Sequence, residues 1–208
     1  PATSMAGTGL AAPFTFKGGS YPGTGGTCGA TLANSSSCTL VVSFAPVTTG
    51  LFSNTIQIDY DDGAALQSSL RDIKGSGVIA ANLVISDGPT FDFGTKALGS
   101  NTDHIFTVDN TGGAPATTMA GGVLSAPYSF KGGSYPGTGG NCGASLNNGS
   151  QCSIVVTYSP TTTGIHTGTL SVNYEDGVGA NVANRAIQGT GANPAVIEIS
   201  DSPLYDFG

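Results

Sequence analysis

CGASLNNGSQCSIVVTYSPTTTGIHTGTLSVNY, residues 142–174, returns in kind at residues 28–60 as CGATLANSSSCTLVVSFAPVTTGLFSNTIQIDY. Within it Cys152–Tyr158 (CSIVVTY) is a continuous apolar, β-branched run, the pattern of a strand in a core. Pro160 and Gly164 then turn the chain into a second strand, Thr169–Tyr174. Working outward, Glu175-Asp176-Gly177 makes the next turn and Val182–Gln188 closes the unit. Upstream, Asn82–Ser86 reads as the first strand, continued by Thr90–Gly94. His104–Asp109 (HIFTVD) alternates, with Phe106 and Val108 to one side, and Pro127–Lys131 is a short strand before a long Gly loop. About seven strands with turn signals every 8 to 15 residues predict an all-β, immunoglobulin-like β-sandwich. The Trp that packs between the sheets of antibody domains is missing.

The two copies belong to a longer correspondence. PATSMAG at Pro1 returns as PATTMAG at Pro115, FKGGSYPGTGG occurs unchanged at Phe16–Gly26 and Phe130–Gly140, and ISDGPTFDFG at Ile85 returns as ISDSPLYDFG at Ile199. All share one offset of 114 without a gap, so residues 1–94 align with 115–208 at about half identity, and only Thr95–Ala114 occurs once. A period of 114 exceeds the roughly 20–50 residues of solenoid units and matches a self-sufficient domain. GSG at Gly75–Gly77 and GTG at Gly189–Gly191 mark unit ends. The expected frame is therefore the C-terminal part of a first repeat at 1–79, a complete repeat at 80–193, and the first strand of a following one at 194–208.

Composition removes several function classes. With 33 Gly, 11 Pro and only 9% charged residues, the chain resembles neither a charge-rich disordered tail nor a helical protein. The net charge is −7, and the six bases are scattered, so no basic stripe exists to neutralise a nucleic-acid backbone. No apolar run reaches the roughly 18–20 residues of a membrane helix.

The order CGxxL, SxCxIVVxYxP, TxxGxxxGTLxVxY and a closing GTG resembles the bacterial choice-of-anchor D repeats, relatives of the ASH/Hydin-like immunoglobulin-fold domains. The resemblance implies β-sandwiches in large bacterial surface proteins and carries no catalytic residues.

Cys28 and Cys38, like Cys142 and Cys152, are separated by nine residues. Four cysteines allow three connectivities. The repeat selects the local one, because each unit must close its own bond. Metal is the rival reading, but zinc sites take CxxC-type spacings with further Cys or His, and His166 is replaced by Phe52 in the other copy. Two disulfides imply an oxidising, extracellular or cell-surface compartment.

The loop GGSYPGTGG is Gly-rich but ends without the GK[ST] of a phosphate loop. Three readings remain for Tyr21, Pro22, Tyr135 and Pro136: plain turn structure, packing against a neighbouring domain or subunit, and contact with a sugar or protein surface. Asp61-Asp62-Gly63 and Glu175-Asp176-Gly177 fit hairpin turns; Asp87, Asp92, Asp201 and Asp206 near the unit ends offer oxygens to calcium. No nucleophile stands out, neither His recurs, and no Lys has a recognisable acid partner for a Lys–Asn cross-link. The sequence thus predicts no enzyme, no cofactor and no metal. It predicts a semi-rigid cell-surface stalk, adhesin or fibre. Its partners are neighbouring repeats or other copies, including head-to-tail strand complementation by 194–208. The alternative is a carbohydrate- or surface-binding module.

Overall fold

The computed structural model describes residues 1–199, 204, 206 and 207, which divide into two compact units, Pro1–Ile79 and Ala80–Gly208. The expected first strand at 194–208 falls largely outside the described residues. The first unit holds β1 (Thr3–Thr8), β2 (Phe14–Phe16), β3 (Val42–Phe44), β4 (Gly50–Asp61) and β5 (Leu66–Gly77). The second holds β6 (Leu83–Ile85), β7 (Thr90–Ala97), β8 (Thr102–Asn110), β9 (Thr117–Gly121), β10 (Tyr128–Phe130), β11 (Gln151–Tyr158), β12 (Gly164–Glu175) and β13 (Ala180–Ala192). No helix occurs among the described residues.

In the second unit one sheet runs β10-β11-β8-β6 and the other β7-β13-β12-β9. This is the strand order of an immunoglobulin-like sandwich, four strands facing three, with β7 added in parallel to β13. Alternation sets the faces. Phe106 and Val108 of β8 pair with Ile154 and Cys152 of β11, and Phe106, Val108, Ile154 and Val156 are fully buried. Leu170, Val172 and Ile187 of the opposite sheet are equally buried. Phe93 bridges the two layers, its ring 5.4 Å from Tyr158 and 5.8 Å from Tyr128.

The count is eight strands here, not about seven, for two reasons. Thr117–Gly121, which the sequence reading passed over, forms β9 at a sheet edge. Thr90–Gly94 does not prolong the first strand; it crosses to the other sheet. Arg185 of β13 holds that crossover, its guanidinium donating to the carbonyls of Ile85 and Pro89. Gly94 (φ +74°) then absorbs the register slip between Gln188 and Thr190, so β7 continues to Ala97. Asn110 is the one buried polar side chain among the described residues. Its amide donates to the carbonyls of Ala114 and Leu146, and its oxygen accepts from the amides of Asn82 and Gly112.

The first unit repeats these elements at positions lower by 114. Phe14↔Phe44 mirrors Tyr128↔Tyr158, Gly50↔Gly77 mirrors Gly164↔Gly191, and the Ala2↔Leu32 bridge mirrors Ala116↔Leu146. It has no strands in the places of β6, β7 and β8: its sheets are β1-β4-β5 and β2-β3. The consequence is a thin core. Leu40, Val42, Ile56, Ile58 and Tyr60 are only half-buried, whereas Ile154, Val156, Leu170, Val172 and Tyr174 at the same places in the second unit are buried.

Substituting Ile154→Ala is expected to destabilise the second unit by about 2–5 kcal/mol, the range for large-to-small changes in a closed core. Leu40→Ala, at the equivalent half-buried place, is expected to cost less than half as much. Urea unfolding of the two variants reads the difference, and equal losses would contradict the contrast in packing.

Candidate functional site

The candidate loops are fixed by main-chain bonds before any side chain acts. Lys131 N donates to Val155 O (3.0 Å), Val155 N to Pro136 O (2.8 Å), and Thr138 N to Lys131 O (2.7 Å). The first unit repeats all three through Lys17, Val41, Pro22 and Thr24. Each loop is also pinned by its disulfide, Cys28–Cys38 or Cys142–Cys152, with Cα atoms 4.8 and 4.9 Å apart. Closing an eleven-residue loop is worth about 2–3 kcal/mol in the chain-entropy description.

The structure thus brings Tyr21 together with Pro22 and Tyr135 together with Pro136, each pair within its own unit. The Tyr135 ring stands edge-on to Phe130 (5.7 Å, 87°), as Tyr21 does to Phe16 (5.8 Å, 89°). It lies across Gly121, where a Cβ would sit 2.6 Å from its Cδ2, so only glycine lets the ring seat there. Burial pushes the Tyr135 hydroxyl up to about 12 and raises that of Tyr21. Tyr21 Oη donates to Gly29 O (3.3 Å), while Tyr135 Oη is buried without a partner. Beside each ring runs a shallow groove, about 350 Å³ along Leu10 and Phe16 and about 320 Å³ along Leu124 and Phe130. The tyrosines therefore act first as packing groups, and one edge of each faces a groove repeated in both units.

The paired acids close hairpins. Asp176 Oδ1 accepts from Val178 N and Gly179 N (2.8 and 2.9 Å), and Asp62 Oδ1 from Ala64 N and Ala65 N (2.8 and 2.9 Å). These backbone bonds lower both carboxyls. Asp92 is lowered by bonds from Gln188 and Gly94 N. Asp201 lies outside the described residues. Among those described, no three His, Cys, Asp or Glu side chains gather around one point.

Ser86, Asp87 and His104 do meet, but in the wrong order for nucleophilic chemistry. Both Ser86 Oγ (2.7 Å) and His104 Nε2 (3.0 Å) bond to Asp87 Oδ2, so the carboxylate stands between hydroxyl and imidazole and the imidazole does not touch the serine. His104 is stacked on Phe91 at 3.7 Å, and its bond, then that of Ser86, lowers Asp87. One expectation needs correction: Lys131 does have an acid partner. Its Nζ lies 2.8 Å from Asp103 Oδ2, an exposed pair that the non-repeated segment supplies.

Sequence reading also missed a linked substitution. Tyr158 Oη bonds to His166 Nδ1 (2.8 Å), Tyr128 Oη donates to His166 O (2.9 Å), and Thr162 Oγ1 bonds to His166 Nε2 (2.9 Å). In the first unit the two tyrosines and the histidine are Phe14, Phe44 and Phe52, which pack as rings alone. Aligning the copies shows the three changes; only the fold shows that they touch.

No protein-family model and no curated protein matches the chain, so the choice-of-anchor D resemblance stands on its own residues. Solved structures similar to it include the Vibrio cholerae VesB protease at 17% identity, with a TM-score of 0.42 over 53% of this chain and 32% of that one. The ASH/PapD-like domain 7 of human CEP192 matches at 14% identity and a TM-score of 0.41, over 56% of this chain and 89% of that domain. An endo-fucoidan hydrolase of glycoside hydrolase family 107 matches at 13% and 0.31, over 91% and 24%. The chain spans about a third of the protease and a quarter of the hydrolase. At these scores no activity or family passes from them to this chain.

Tyr135→Phe is expected to leave the melting temperature unchanged or slightly raised, because it removes a hydroxyl that is buried without a partner. Tyr135→Ala is expected to cost about 2 kcal/mol, less than a fully buried aromatic. A loss on Tyr135→Phe equal to that on Tyr135→Ala would contradict the packing role.

Stability should also fall in acid. Asp62, Asp87, Asp92, Asp103 and Asp176 are all lowered by hydrogen bonds. Their contribution is complete above the unfolded value of about 3.9 and is lost as pH falls through the lower folded values. Melting temperature should hold steady down to about pH 4 and drop below it. A loss already complete by pH 5 would contradict this.

Proposed function

We propose that this chain belongs to a tandem array of 114-residue immunoglobulin-like repeats and acts as an extracellular structural element, a semi-rigid stalk, adhesin or fibre of a bacterial cell surface. The observation that carries this reading is the recurrence, 114 residues apart, of one disulfide-pinned loop, one cross-bridge and one set of strand registers. The likeness of the two copies extends to the edge-on packing of Tyr21 on Phe16 and Tyr135 on Phe130. Two disulfides suit an oxidising compartment, and no helix of the described residues is long and apolar enough to cross a membrane. Only Val78–Asn82 separates β5 from β6, a connection too short to behave as a flexible tether. The choice-of-anchor D resemblance agrees with a surface role.

A second reading, a module that binds a surface glycan or protein, draws on the grooves beside Tyr21 and Tyr135.

Chains carrying two, four and six complete repeats separate the readings in small-angle scattering and negative-stain images. The stalk predicts a maximum dimension that grows in proportion to repeat number, and a dimension that levels off would overturn it. Saturable binding on a glycan array that is abolished by Tyr21→Ala with Tyr135→Ala would favour the binding module.

A further inference from the structure

Twelve asparagines stand in the chain, and two of them have a hydroxyl residue two places on with no proline between: Asn34-Ser35-Ser36 and Asn148-Gly149-Ser150. Both occupy the same place in the two copies, 114 residues apart. Around them the copies differ. Residues 33–37 read ANSSS and residues 147–151 read NNGSQ, and of these five positions only the asparagine and the serine two residues later are shared.

The fold gives no reason of its own for keeping that pair. Each asparagine lies in the loop that a disulfide closes, Cys28–Cys38 or Cys142–Cys152. It sits in a tight turn, closed by Ser36 N donating to Ala33 O and by Ser150 N donating to Asn147 O, both at 3.2 Å. The left-handed backbone of the turn falls on the residue between, Ser35 (φ +58°) or Gly149 (φ +67°), so the conformation asks nothing of the asparagine. Both asparagines are exposed. Neither their side chains nor the hydroxyls of Ser36 and Ser150 make a hydrogen bond among the described residues. Just before the turn the chain is anchored: Leu146 is buried and exchanges main-chain bonds with Ala116, as Leu32 does with Ala2. A fixed base thus holds each asparagine in solvent.

Asn-x-Ser with x other than proline is the acceptor pattern for an N-linked glycan. Resting on the extracellular reading above, we propose that Asn34 and Asn148 are N-glycosylation sites, one in each copy. The co-substrate is a glycosyl diphosphate. Asparagine Nδ2 bonds to the anomeric carbon of the sugar, the bond from that carbon to the diphosphate oxygen breaks, and the diphosphate leaves with the electron pair. One Nδ2 proton passes to a base of the transferase, which reads the serine hydroxyl to position the amide. With only 9% charged residues, the chain has few ionic groups to hydrate its surface, and a bulky hydrophilic group at the same turn of each copy adds to them.

The test is peptide mapping of the protein isolated from the cells that make it, with electron-transfer fragmentation, which leaves sugars in place. A sugar adduct is expected on Asn34 and Asn148 and on neither Asn141 nor Asn147. A bare asparagine at either site, or an aspartate left there by spontaneous deamidation, overturns the proposal. A single sugar identifies a nucleotide-linked donor and a preassembled oligosaccharide a lipid-linked one, and both support it. In the same cells Ser150→Ala should abolish the adduct on Asn148 and leave that on Asn34, while Ser150→Thr should keep both. An adduct on Asn148 that survives Ser150→Ala overturns the assigned motif. Thiol trapping on the same sample separates this result from the compartment: paired cysteines beside bare asparagines remove the glycan and leave the extracellular reading standing, and free cysteines beside bare asparagines remove both.

Discussion

The second unit depends on one pairing. Along its whole length β8 is hydrogen-bonded to β11, and its buried face, Phe106 and Val108, fills the middle of the core. It also carries β6 on its other edge, ends in the Asn110 clamp, and presents Asp103 to Lys131. β7 then closes the opposite sheet and lays Phe93 between the layers. Hydrophobic burial of this kind is the main force against chain entropy, and a sandwich half-closed cannot bury both inner faces.

The first unit, Pro1–Ile79, holds the strands that correspond to β9–β13 and none in the places of β6–β8. Its local structures persist, because each is held by nearby chain: the hairpin β4–β5 by its own register and the Asp62 turn, the Gly loop by its main-chain bonds and the Cys28–Cys38 bridge. Burial does not persist, because it is a long-range property. Residues chemically suited to a core stay half-exposed, and Lys17 and Arg71, whose counterparts Lys131 and Arg185 find a carboxylate or carbonyls, find none among the described residues.

The sequence made some of this plain. The β-branched run Cys152–Tyr158 reads as the clearest core strand, and the repeat favours the local pairing of each disulfide over the other connectivities and over metal. Asp-Gly turns announced their hairpins. What stayed hidden was set by contacts distant in the chain. β9 is short and mixed in polarity, so nothing marks Thr117–Gly121 as a strand until β12 pairs with it. The crossing of β7 between sheets hangs on Arg185, almost a hundred residues away. The candidate tyrosines were legible as special, but their role was not: the close approach to Gly121 that seats Tyr135 exists only once β9, in one sheet, meets the rings of Phe130 and Tyr135 that β10 and its loop bring from the other.

Amide hydrogen exchange on the 208-residue chain tests most directly whether closure by β6–β8 governs stability. Amides of β12 and β13 should exchange only through global opening of the second unit, while those of β4 and β5, identical in register, should exchange at least about a hundredfold faster through local opening. Equal protection of the two hairpins would mean that each is stable on its own, and would contradict the account.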